Sequence, residues 1–160
     1  MKVEKTDILK LTVSIIACLM AGAFGSVFTF SSIPTWYASL NKPFFTPPNW
    51  LFGPAWTTLY ILMGIALFLV WNKGFKDKEP KLALYVFSIQ LILNAAWSFL
   101  FFGLRSPLLG LAGIIPLWVS ILLTIWRFWK IDKRAGALLI PYLVWVSFAT
   151  ALNYAVLAMN

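Results

Sequence analysis

Charged residues are absent from five long stretches of this chain, 11–41, 43–72, 82–104, 106–126 and 135–160. Between them the polar and charged positions are gathered into short clusters. Each stretch can hold a helix of about 20 residues, the length that crosses a bilayer's hydrocarbon core. Backbone groups in lipid must pair within their own segment, which favours helix over irregular chain. No stretch shows the alternating ten-residue pattern of a membrane β-barrel. The pattern predicts helices near 11–30, 53–71, 82–102, 107–126 and 135–157, with a loop over 31–52. The expected fold class is all-α, a single domain (1–160) forming an integral membrane five-transmembrane-helix bundle.

Composition supports a lipid solvent. The 160 residues are 61% hydrophobic and 11% charged, with a mean hydropathy of +0.85. Soluble domains carry about 25% charged residues. The net charge of +8 points to lipid head groups rather than nucleic acid, because the basic residues flank apolar spans. Lys2, Lys5 and Lys10, then Lys73, Lys76, Lys78 and Lys81, then Arg127, Lys130, Lys133 and Arg134 fall on one side of a five-span protein. Lys42 and Arg105 fall on the other. The positive-inside rule therefore predicts a multi-pass protein of the cell membrane, with a cytoplasmic N-terminus and an external C-terminus and first loop.

The basic start and Ala21-Gly22-Ala23 also resemble a cleaved signal peptide. The apolar run continues through Phe28 and Phe30, which favours an uncleaved first helix. Ala17, Ala21 and Gly25 recur every four residues, as at close helix–helix contacts within a bundle or between protomers. There is no histidine, hence no usual acid/base catalyst or commonest metal ligand. The carboxylates Glu4, Asp7, Asp77, Glu79 and Asp132 all lie in predicted cytoplasmic segments, and Cys18 is alone. The expectation is no metal and no cofactor.

The segment from Trp36 to Tyr60 is dense in aromatics and prolines. Pro43, Pro47 and Pro48 fix extended or turn backbone, and rings on such a frame present a preformed surface to a flat apolar ligand. The competing reading is an aromatic belt at the membrane interface. On predicted helices, Gln90, Asn94 and Ser98 share one face with Trp97 beside them, and Trp145, Ala149, Leu152 and Asn153 share another. Polar groups are costly in lipid, so the amides are expected to face the bundle interior. There they serve as interhelical glue, ligand contacts or both. Trp71, Trp126 and Trp129 read as interface anchors, and mid-span Trp118 as a lipid-facing residue.

The pattern W-Y-x-x-L-x-K-P-x-x-x-P-P-x-W-x-x-x-P-x-W-x-x-L-Y begins at Trp36. It is followed by Asn94-Ala95-Ala96-Trp97-Ser98, Phe101-Phe102-Gly103, Pro141-Tyr142-Leu143-Val144-Trp145 and Phe148-Ala149-Thr150-Ala151-Leu152-Asn153-Tyr154. In order and spacing this resembles the TspO/translocator protein family, also called the peripheral-type benzodiazepine receptor family, over roughly residues 11–157. The resemblance implies a five-helix bundle, often a homodimer, with a ligand pocket between helices closed by the first loop. It implies porphyrins such as protoporphyrin IX, haem-like tetrapyrroles, sterols and synthetic isoquinoline carboxamides as ligands. Bacterial members are linked to tetrapyrrole handling, some with light-dependent breakdown of protoporphyrin. By motif, Trp50, Asn94, Trp97, Trp145, Ala149 and Leu152 are pocket positions, with Trp36 in the same first-loop pattern. Animal members end in a sterol-recognition pattern with a basic residue after the Tyr. Here Tyr154 is followed only by Ala155-Val156-Leu157-Ala158-Met159-Asn160, which weakens the case for a dedicated sterol function.

Three functions follow for comparison. A receptor would use Trp50, Trp97 and Trp145 to stack on a planar macrocycle, with Lys42 and Arg105 as partners for its propionates; alternatively those two cations snorkel to head groups. A photochemical activity would use Trp50 and Trp145 as oxidisable indoles near an excited porphyrin. A passive transporter is the third; ion-coupled carriers place ionisable residues within spans, and these spans have none.

Overall fold

A computed structural model describes residues 4–74 and 77–160. Lys2 and Lys76, which entered the charge argument, lie outside the described residues. The chain folds into α1 (Lys5–Ser32), α2 (Asn49–Asn72), α3 (Lys78–Ser98), α4 (Pro107–Ile131), α5 (Lys133–Leu138) and α6 (Ile140–Met159). Among the described residues, five helical spans are long and apolar enough to cross a membrane, α5 and α6 together forming the fifth. Many large apolar side chains point outward, among them Val27, Ile92 and Val144, as lipid as solvent allows. Round the bundle, α1 packs against α2 and α3, α4 against α3 and the α5–α6 pair, and α2 against α5.

The helices outrun the apolar stretches that predicted them. At the basic end, α1 begins in a reciprocal cap between Glu4 and Asp7, α3 and α4 extend into the charged clusters, and α2 ends at Asn72, just before Lys73. Lys10 reaches Asn72 at 3.1 Å, Arg127 pairs with Glu79 at 3.0 Å, and Lys73 approaches Asp132 at 3.7 Å. The N-terminal, second and fourth clusters therefore sit together, as helices of alternating direction require. Lys130 and Arg127 lie over the Trp126 ring at 3.6 and 4.7 Å.

At the opposite end, the expected 31–52 loop is largely helical. α1 continues as a π-helical turn over Ile33–Tyr37, where Pro34 lacks the N–H that α-helix would use. Only residues 40–48 are non-helical between α1 and α2. A second π-helical turn, Phe99–Gly103, follows α3 and faces the first. Ser32 Oγ donates to the Phe102 carbonyl at 2.7 Å, and Trp36 packs edge-on against Phe101 at 5.5 Å. The fifth span breaks at Leu139, two residues before Pro141, which cannot donate to a preceding carbonyl.

Glycines set how closely α1 and α2 approach. A Cβ on Gly64 would lie 2.6 Å from Ile15 Cα, and one on Gly22 would lie 2.3 Å from the Tyr60 ring. A Cβ on Gly53, three turns before Gly64, would meet nothing within 4 Å. The two helices touch towards the basic end and part towards the loop end.

Candidate functional site

The parting of α1 and α2 leaves a cavity of about 710 Å³, closed at the back by α3 and its π-helical turn. Small-molecule sites commonly span about 300–1,000 Å³. From α1, Leu19, Gly22, Ser26, Thr29, Phe30 and Ile33 face it at three- and four-residue spacings. From α2 come Asn49, Trp50, Phe52, Gly53, Trp56, Thr57 and Tyr60, and from the back wall Trp97, Ser98 and Phe102. No Lys, Arg, Asp or Glu lines it. The α1 hydroxyls turn back on their own helix: Ser26 Oγ donates to the Ala23 carbonyl at 2.7 Å and Thr29 Oγ1 to Gly25 at 3.2 Å. The Trp97 indole N–H is buried without a partner. Among the described residues no three His, Cys, Asp or Glu side chains come together as a metal site.

Trp56 is the hub of the aromatic wall. It stacks on Tyr60 at 5.7 Å and lies 6.3 Å from Trp97, 6.3 Å from Tyr142 and 6.5 Å from Trp145. Behind it, Tyr60 donates its hydroxyl to Asn94 Oδ1, and Asn94 Nδ2 donates to Tyr142 Oη at 2.8 Å. This buried chain ties α2, α3 and α6 together and holds the Tyr60 ring against Gly22.

The predicted site residues divide into four groups. Trp50 and Trp97 line the cavity, Trp50 at its exposed rim and Trp97 in its depth. Asn94 and Trp145 stand one residue back, the first behind Tyr60 and the second behind Trp56. Leu152 is buried in the core, and Ala149 packs partly buried against it. The remaining three lie elsewhere. Trp36 packs on Phe101. Lys42 donates to the carbonyls of Tyr37, Ala38 and Leu40 at 2.8, 3.1 and 3.0 Å, so its ammonium is turned onto the C-terminal end of the first span. Arg105 is exposed in the turn between α3 and α4, with φ +52°. Residues 40–48 do not line the cavity; Phe45 packs on Phe148 at 6.2 Å, on the α6 side.

Gln90, Asn94 and Ser98 are buried on one stripe of α3. Asn153 Nδ2 donates to the Pro107 carbonyl at 2.7 Å, tying α6 to α4. Trp118, read as lipid-facing, donates its indole N–H to Ser147 Oγ at 2.7 Å and is half-buried between α4 and α6. The residues missed by sequence reading are Trp56, Tyr60, Tyr142 and the α1 wall. Phe52, Trp56 and Tyr60 share a face at four-residue spacing, a signal available in the sequence. Of the small-residue rhythm Ala17, Ala21 and Gly25, only Gly25 lines this cavity; Ala17 and Ala21 face a separate groove beside Leu84, Phe87 and Leu91 of α3.

A family model described as the TspO/MBR family matches residues 14–159. The chain is similar to the tryptophan-rich protein TspO of Archaeoglobus fulgidus, 52% identical over 155 residues that cover 96% of this chain and 99% of the relative. It is similar to the tryptophan-rich protein TspO of Chlorobaculum tepidum at 47% over 154 residues, covering 96% and 98%. It is also similar to the translocator protein of Homo sapiens at 39% over 134 residues, covering 82% and 79%.

Proposed function

As this chain belongs to the TspO/MBR family, a multi-pass membrane protein with a receptor- or transporter-type role, we propose that it binds tetrapyrroles such as protoporphyrin IX and other flat hydrophobic ligands. The observation that carries this reading is the cavity, aromatic on two walls and lined by no charge. A planar macrocycle gains from indoles both by burial and by stacking worth roughly 0.5–1.5 kcal/mol per ring pair. In this reading Trp50 covers the ligand at the rim, Trp97 meets it in the depth, and Trp56, beside Trp97, lines the wall between α2 and α3. Propionates stay at the rim, since neither Lys42 nor Arg105 lines the cavity. Sterols and isoquinoline carboxamides fit the same apolar chemistry. The orientation proposed is a cytoplasmic basic end in the cell membrane, and the assembly a homodimer.

The test is a dark titration of the purified protein with protoporphyrin IX, following tryptophan fluorescence. Saturable quenching near one ligand per chain, weakened by Trp50→Phe, supports the reading. Linear quenching equal to that of detergent alone removes it. A second reading, light-driven loss of the bound porphyrin, is favoured by the edge contact of Trp56 with Trp145, which joins the cavity wall to a second indole. Illumination of the saturated complex, with Trp145→Phe slowing the loss of porphyrin absorbance, separates it from passive binding or passage.

A further inference from the structure

The cavity has a side opening. Trp50, Gly53 and Thr57 on α2, Ala23 and Phe30 on α1, and Pro34 in the π-helical turn that continues it are exposed and line the cavity as well. Phe30 is 81% and Trp50 71% exposed. Ala23, Phe30, Gly53 and Thr57 fall within the stretches 11–30 and 53–71 that match the hydrocarbon, so the gap between them faces acyl chains, while Trp50 and Pro34 stand at its loop-end edge. The gap narrows where the helices touch at Gly22–Tyr60 and Ile15–Gly64, and it is free of side chain at Gly53. The back wall is different: Trp97 and Ser98 are only 8% and 9% exposed, and they join the outside through the cavity itself.

We propose that ligands reach this cavity sideways from the bilayer, through the α1–α2 cleft, and that Gly53 keeps that cleft open. The route selects its cargo. A molecule must first partition into hydrocarbon, present a flat apolar body to the cleft, and leave any carboxylate trailing towards the loop end. Water-soluble anions have no counter-charge along this path. The identity of the cargo rests on the tetrapyrrole reading; the route rests on the cleft alone.

The experiment uses the full chain reconstituted with phosphatidylcholine bearing a photoactivated diazirine midway along one acyl chain, with adducts mapped by peptide mass spectrometry. Wild-type protein should carry adducts on the back-wall segment holding Trp97 and Ser98 as well as on outward Phe30. Gly53→Trp, whose side chain enters open space, should lower the back-wall adducts roughly ten-fold while leaving those on outward Ile92 unchanged, because a rigid indole fills the gap. Val144→Trp, the same bulk at a 62% exposed position of α6, should leave the back wall labelled as in wild type. Gly53→Leu serves if the tryptophan variant does not fold. Back-wall adducts that are absent in wild type, or equal in wild type and the Gly53 variants, overturn the route. Protoporphyrin IX added in oxygen-free buffer should protect the back wall. If labelling depends on Gly53 but porphyrin gives no protection, the route stands and the porphyrin reading falls.

Discussion

Replacing Gly64 and Gly53 by alanine, one at a time, separates helix propensity from interhelical contact within a single helix. Alanine in place of glycine favours a helix by about 0.5–1 kcal/mol at either position. At Gly53 the added methyl meets no atom within 4 Å beyond its chain neighbours, and only the following Pro54, which crowds a Cβ on a helical residue before it, opposes part of that gain. At Gly64 the methyl would lie 2.6 Å from Ile15 Cα, 2.9 Å from its Cγ1 and 3.0 Å from its backbone nitrogen. Two of those three atoms are main chain, so no rotamer change relieves the clash and α1 must move away from α2. Overpacking of this kind costs about 1–3 kcal/mol. Gly53→Ala should therefore be stabilised by up to about 1 kcal/mol. Gly64→Ala should lose up to about 2 kcal/mol after the propensity gain is set against the clash. Because the helix-propensity gain is shared, their difference reads the steric cost at Gly64 less the smaller crowding of Pro54 at Gly53. Reversible unfolding in mixed micelles with increasing dodecyl sulfate, followed by far-ultraviolet circular dichroism, measures both. A difference below about 0.5 kcal/mol, set against the overpacking range, would refute the claim that glycine sets the α1–α2 separation.

Tyr60→Phe leaves the buried Asn94 Oδ1 without its donor and should destabilise the bundle by about 1–2 kcal/mol. The triple variant Tyr60→Phe, Asn94→Leu, Tyr142→Phe should recover much of that loss in the same unfolding assay, since no polar group is then stranded. Trp97→Phe removes a buried indole N–H that has no partner, so folding should change by less than about 1 kcal/mol. Titration with protoporphyrin IX should show several-fold weaker binding if that N–H meets an acceptor on the ligand. The side-chain hydrogen bond from Arg134, helped by its backbone N–H and by Lys73, holds Asp132 near a pKa of about 2. A folded-state pKa below the unfolded one supplies stability above about pH 4 that is lost as pH falls towards 2. Solvent around the exposed Arg134 and Lys73 limits this to about 1 kcal/mol. Stability measured across that window should flatten in Asp132→Asn.

The spans were legible because lipid leaves the backbone few choices, and a run of uncharged residues is the visible trace of that constraint. Helix ends were less legible. Charge clusters mark where hydrocarbon stops, whereas helix continues into them through caps such as Glu4 with Asp7. Pro34 falls inside the loop expected over 31–52, yet a π-helical turn absorbs it within the first span. Trp50 and Trp97 were found as aromatics in a motif, and both line the cavity. Lys42 shows the limit of reading charge from position: an isolated cation beside a predicted pocket is held by three carbonyls of its own turn. Trp56 was overlooked because its importance lies in neighbours contributed by two other helices, α3 and α6, as well as in its place on the α2 face.

Asn41 and Asn160 clasp each other at the loop end. The Asn41 N–H donates to Asn160 Oδ1 at 3.0 Å, and Asn160 Nδ2 donates to the Asn41 carbonyl at 2.9 Å. The partners are 119 positions apart in sequence. During synthesis the first two spans leave the ribosome long before residue 160 exists, and contacts of such separation close late. The short segment that delivers Trp50 and Gly53 to the cleft is held from the start by Lys42 on the first span, and gains this second tie only when the last helix has been made. A nascent chain therefore passes through a stage with α1 and α2 made and this clasp still open, and the loop end gains its last tie only from the final residues of α6.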